Sequence, residues 1–126
     1  MIAQPIQDTS LREHLAGIAQ DGMDIFLLED GQVRGSVVHA TRMVNQMRRN
    51  HNLGIIETLI LGHGYIAAVL LSAQIKGKDK IRLLVDCDGP ARGLSVECRA
   101  TGQVRGYLHR VPIPVDTPPE SFDLAP

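Results

Sequence analysis

The chain has 126 residues, 44% of them hydrophobic, which is enough apolar material for one core without disulfide or metal staples. Its formal net charge is −1, and its aromatics are two Phe and two Tyr with no Trp, so neither a basic footprint nor a stacking platform for nucleic acid is supplied. Two cysteines, Cys87 and Cys98, match no zinc spacing and make no disulfide framework; they read as reduced thiols packed as small hydrophobes.

Met1 to Ser10, MIAQPIQDTS, lacks the basic and apolar regions of a secretory leader, which points to the cytoplasm. Residues 1–9 read as a loose lead-in. Ser10 and Glu13 fit a capping box for a short helix over about 10–20, ended by Asp21-Gly22. The run Ile25-Phe26-Leu27-Leu28 is apolar at every position, as in a strand covered on both faces. Asp30-Gly31 is a hairpin signal, because a type I′ turn needs positive φ at both central residues. A second strand follows over about 32–40. Thr41 is placed to cap a helix through about Asn50.

After a break at His51-Asn52, the segment from Leu53 to Lys76 is apolar nearly all round. A helix without a polar face is either buried or membrane-spanning. Glu57, His63 and the glycines at 54, 62 and 64 favour a buried core helix and no membrane. Gly62 and Gly64 are read as places where another backbone comes close. Lys76–Asp79 is a polar turn. Three strands follow, over about 80–87, 93–100 and 103–110, separated by Asp88-Gly89-Pro90 and Thr101-Gly102. Their alternation puts Ile81, Leu83, Val85, Leu94, Val96, Cys98, Val104, Gly106 and Leu108 on a dry face. Arg82, Glu97, Arg99 and Arg105 fall on a solvated one. The tail over 111–126 carries five prolines and reads as an extended, weakly ordered arm. The whole is an α+β chain, read as a single domain over 1–126, with antiparallel or mixed sheets around a buried apolar helix.

The phrase GQVRG occurs twice, at Gly31–Gly35 and Gly102–Gly106. In both copies the leading glycine serves a turn, valine points to the core, arginine points away, and the trailing glycine admits a close neighbour. Architecture explains the repeat; the flanks do not match, so the chain is not duplicated.

No catalytic, cofactor or metal site emerges. His14, His39, His51, His63 and His109 stand in no zinc motif. His63 reads as a satisfied core histidine. Asp86–Gly89, DCDG, lacks the remaining ligands of a calcium loop, and GKDK and GPARG are too short for phosphate loops. Ser36, Ser72, Ser95 and Ser121 have no nucleophile-elbow context. Glu57 and Asp24 are candidate buried acids without a nameable partner. A small enzyme built on His39, His51 or Glu57 is the least favoured reading.

The ordered phrases LEDGQVRGSVVHATRMVNQMRRNHNLG and LGHGYIAAVLLSAQIKGKDKIRLLVDCDGPARGLSVECRATGQVRGYL resemble the N-terminal domain of the heat-shock protein 33 family. The likeness spans about 27–110. Departures are His63 where the family often has Arg, Ile55-Ile56 where it often has Ser-Pro, and an extra N-terminal arm over 1–22. The resemblance implies helices against curved sheets, with the long apolar helix central. It also implies an ATP-independent holdase that captures unfolded client proteins. Family chains are more than twice as long and carry a four-cysteine zinc module, which neither Cys87 nor Cys98 matches. The expectation is therefore a non-catalytic chaperone domain without zinc or redox switch. The alternative is a structural or dimerisation module that forms a homodimer or exchanges strands through an open sheet edge.

Overall fold

The computed structural model describes residues 3–120. Helix α1 spans Thr9–Gly17, and its cap is Asp8, whose carboxylate accepts from Leu11 N at 3.1 Å. Ser10 therefore lies inside the helix and not at its cap. The described residues before it are not loose. Gln4 N donates to Asn50 Oδ1 at 2.8 Å and Arg49 Nε to Pro5 O at 2.8 Å, so the lead-in runs along the next helix.

Strands β1 (Gly22–Leu28) and β2 (Val33–His39) pair antiparallel, with Met23 opposite Val38 and Phe26 opposite Gly35. Gln32 N closes on Glu29 O at 3.1 Å around Asp30 and Gly31, both at positive φ, as the sequence implied. The left-handed stretch begins one residue earlier, at Glu29, which removes Glu29 and Gln32 from the ladder. Helix α2 spans Thr41–His51. Its N-terminal amides are held not by Thr41 but by Asp21, whose carboxylate accepts from Arg42 N at 3.0 Å and Met43 N at 2.6 Å. An anion there suits the positive end of the helix dipole. Asn52, at φ 51°, ends α2 in the left-handed conformation.

Helix α3 spans Ile55–Ser72 and is the pillar of the molecule. It packs on α2, on β2 and on all three strands of the second sheet, β3 (Lys80–Asp86), β4 (Gly93–Arg99) and β5 (Val104–Leu108), which form an antiparallel meander in that order. Leu61, Tyr65, Ala68 and Val69 meet Leu94, Val96, Cys98 and Leu108 in one cluster. The close neighbours of Gly62 and Gly64 are side chains, not backbone: a Cβ at Gly62 would lie 3.2 Å from Val44, and one at Gly64 3.1 Å from Leu94. Helix α3 is long and apolar enough to cross a membrane by length and composition, and half of that window is buried inside the protein. The expected α+β architecture, sheets packed on a buried apolar helix, holds.

The two GQVRG copies share their turn glycines, Gly31 at φ 85° and Gly102 at φ 89°, but not the directions of their side chains. In the second copy Val104 packs on the core and Arg105 pairs with Glu97 at 2.9 Å. In the first the directions are reversed. Val33 is exposed, and Arg34 reaches inward to donate to Ala73 O at 2.8 Å. The cause is the end of α3, whose last carbonyls lack helical partners and attract a cation.

After β5 no further helix or strand forms through residue 120, yet Ile113 is buried in the core cluster and its N–H donates to Glu57 Oε1 at 2.9 Å. The weakly ordered arm of the sequence reading is thus pinned at its start, because a buried carboxylate needs donors and the arm supplies one. The end of the tail, with Ser121, lies outside the described residues.

Candidate interaction surface

Alternation sorts the β1–β2 hairpin into two faces. Met23 and Val38 pack on the body, so Ile25, Leu27, Arg34 and Ser36 share their side. Phe26, Leu28, Val33 and Val37 share the other side with Asp24. Beyond Met23 and Val38 the hairpin meets the body through Arg34, whose guanidinium reaches Ala73 O, while most of its apolar side chains stay open to solvent. Ile25, Phe26, Leu27, Leu28, Val33 and Val37 are each 40–64% exposed. The strand read as covered on both faces is covered on neither, because no third strand joins this sheet among the described residues. At its root a groove of about 460 Å³ separates it from the second sheet, lined by Met23, Val38, Met43, Val69 and Val104. Apolar surface of this extent on one element makes the hairpin the candidate interaction surface.

The residues weighed for chemistry do not converge. His14, His39 and Asp24 are exposed on separate elements. His63 is satisfied, with Leu59 O 2.7 Å from its Nδ1, but it is exposed and not in the core. His51 lies beside the second sheet, where burial pushes its pKa down, and its Nε2 is buried without a partner. His39, His51 and Glu57 lie at three different places and form no common site. Cys98 is fully buried and burial pushes its thiol up, as expected of a packed hydrophobe; Cys87 is exposed instead. No group of three or more potential metal-ligating side chains occurs among the described residues.

One polar pair escaped sequence reasoning. Ser95 Oγ lies 2.9 Å from His109 Nε2, and His109 Nδ1 lies 3.2 Å from Arg92 O. A carbonyl only accepts, so the neutral ring carries its proton on Nδ1, and Nε2 accepts from the Ser95 hydroxyl. Ser95 is buried, and this bond satisfies it while stapling β4 to the chain leaving β5. Fourteen residues separate the two, and no local pattern signals the pairing. Beside them a cavity of about 390 Å³ is lined by Arg82, Arg105, Tyr107 and His51.

The profile of the family described as Hsp33 protein matches residues 21–125. This chain belongs to the Hsp33 family. It is 35% identical over 98 residues to the 33 kDa chaperonin of Geobacillus sp. (strain WCH70), covering 78% of this chain and 31% of that protein. The 33 kDa chaperonin of Bacillus subtilis (strain 168) is 33% identical over 98 residues, with the same coverage of 78% and 31%. The crystal structure of the 33 kDa chaperonin of Thermotoga maritima, a heat shock protein 33 homolog, superposes with a TM-score of 0.70 at 27% identity, over 80% of this chain and 35% of that one. The chain thus spans about a third of the length of the relatives it matches. Helix α1 lies before the matched region, and the exposed hairpin lies within it. The residues here carry an Hsp33-family fold whose β1–β2 hairpin exposes apolar side chains.

Proposed function

We propose that this chain is an ATP-independent holdase domain that binds unfolded polypeptide in the cytoplasm, without a zinc-based redox switch in these residues. The observation that carries the reading is the hairpin, which offers apolar side chains on both faces to any chain that has lost its own core. Family membership supports the same reading. Free thiols at Cys87 and Cys98 suit a reducing compartment. The role is non-catalytic, with no nucleic acid or membrane as partner. The test is suppression of aggregation of a thermally unfolding enzyme such as citrate synthase. Protection at a few-fold molar excess is expected, equal in oxidised and reduced protein and reduced by Val37→Lys. Absence of protection at large excess sinks the reading.

A second reading, a dimerisation module, is favoured by the edges of the two-stranded sheet, which carry no third strand among the described residues. Light scattering separates it from the first. A monomer at high concentration that still protects clients excludes it.

A further inference from the structure

The solvated face of the second sheet holds a cluster that client capture by the hairpin does not use. Strand pairing sets Arg82, Glu97 and Arg105 in one row across β3, β4 and β5, and Leu84, Ser95 and Tyr107 in another. Residues two apart on a strand share a face, so the two rows are neighbours on it. The cavity of about 390 Å³ opens over all of these except Leu84. Its volume lies at the low end of the range that small-molecule sites occupy. We propose that this cavity binds a small molecule in which one oxyanion, a phosphate or a carboxylate, is joined to a flat apolar body.

Charge selects the oxyanion. Two guanidinium groups and one carboxylate line the cavity, which leaves a positive excess there on a chain whose net charge is −1. Glu97 is already engaged. Its Oε2 accepts from Arg105 Nε at 3.0 Å and Nη2 at 2.9 Å, and its Oε1 lies 3.0 Å from Lys80 Nζ. Both Arg105 bonds fall on one oxygen, so Nη1 is left over. Arg82 forms no ion pair or hydrogen bond among the described residues. Planar guanidinium groups bind carboxylate and phosphate through paired hydrogen bonds. His51 borders the cavity, and burial lowers its pKa, so its ring is neutral at pH 7 and leaves the positive excess unchanged. Tyr107 selects the flat body. Its ring is exposed and lies 5.8 Å from the His109 ring, and its hydroxyl has no partner among the described residues. An open ring beside the guanidinium groups can stack a second ring. The Ser95 hydroxyl is committed to His109, which stiffens the floor of the cavity and takes Ser95 out of the donor set. The inference does not rest on the holdase reading.

The test titrates the full 126-residue chain with phenyl phosphate, benzoate, inorganic phosphate and benzyl alcohol, read from the amide resonances of residues 95–97 and 105–107. Saturable one-to-one binding of phenyl phosphate or benzoate is expected at about a millimolar or tighter, and the tighter of the two names the oxyanion. Inorganic phosphate, without a ring to stack, should bind about five-fold more weakly than phenyl phosphate. Arg82→Gln, at an exposed position, should weaken binding about ten-fold. Glu97→Gln removes the repelling carboxylate and releases Arg105, so it should tighten binding, an effect that a purely structural Glu97 would not give. Tyr107→Leu should bring phenyl phosphate down to the level of inorganic phosphate. Arg99→Gln, on the same face but outside the cavity, should change nothing. Absence of saturable binding by either aromatic anion overturns the inference, as does equal binding of benzyl alcohol. Equal losses in Arg82→Gln and Arg99→Gln also overturn it, because the attraction is then diffuse. A hexaglutamate peptide that binds more tightly than both aromatic anions and ignores Tyr107→Leu overturns it in favour of an acidic protein partner.

Discussion

The repeated phrase provides its own controlled experiment: one substitution, Gly→Ala, at the last residue of each copy. At Gly106 a Cβ would lie 2.5 Å from Ser95 O and 2.9 Å from Val96 Cα, both backbone atoms of the central strand β4. Neither can retreat without breaking the ladder or moving Val96, which is 1% exposed. Overpacking of that kind costs about 1–3 kcal/mol. At Gly35 the Cβ would press against the Phe26 ring, which lies over the glycine from the neighbouring strand. That ring is 40% exposed at the end of a rotatable side chain, so it can swing outward. Replacing glycine at a compatible backbone also stabilises by about 0.4–1 kcal/mol through the unfolded chain, which offsets the displaced ring. The expected outcome is Gly106→Ala destabilised by about 2 kcal/mol and Gly35→Ala within about 0.5 kcal/mol of the parent. With a urea m-value of about 2 kcal/mol/M, the midpoint falls by about 1 M in the first case and hardly at all in the second. Equal midpoint losses in the two variants would refute the distinction between a backbone neighbour and a mobile ring.

Glu57→Ala should cost about 1–3 kcal/mol, because it leaves the buried Ile113 N–H without an acceptor. Limited proteolysis should then cut near residue 113, and Glu57→Gln, which keeps an acceptor, should restore protection. A maleimide should label one thiol per native chain, the exposed Cys87; Cys98 should react only after denaturation, since burial keeps its thiol protonated. Glu97 accepts from Lys80 and Arg105, which hold its carboxyl below the ordinary 4.5. A depressed folded pKa means that the unfolded chain binds the proton first, so this contribution is complete above about 4.5 and is lost as pH falls through the lower folded value. Urea midpoints measured from pH 6 to pH 3 should therefore fall less steeply in Glu97→Gln.

The elements written in a local code were legible. The apolar run became α3, the alternation of residues 80–108 became a meander with the expected pairing of faces, except that Val85 at the end of β3 is exposed and not dry, and Asp30-Gly31 and Thr101-Gly102 became turns. What escaped are bonds between residues far apart in the chain. Asp21 caps α2 across 21 residues, Arg34 reaches a carbonyl 39 residues on, and Glu57 holds an amide 56 residues on. Local propensity carries no record of such partners. Thr41 and Ser10 were reasonable caps that lost to carboxylates, which bind helix amides more strongly. The hairpin misled for a different reason. Its apolar run correctly signals a strand, but the burial expected on both faces does not occur, since no third strand joins the sheet among the described residues. The candidate surface was therefore written in the sequence as a strand, but its exposure was visible only in three dimensions.

Helix α3 also has a place in time. Translation delivers residues 55–72 before β4 and β5, which end at Leu108 and bury one side of the helix. Until those strands emerge, the ribosome presents a bare apolar rod with the length and composition of a bilayer-spanning segment, broken by Glu57 and His63. The future pillar is, for that interval, the stickiest thing the nascent chain owns, and its burial has to wait for strands still being made.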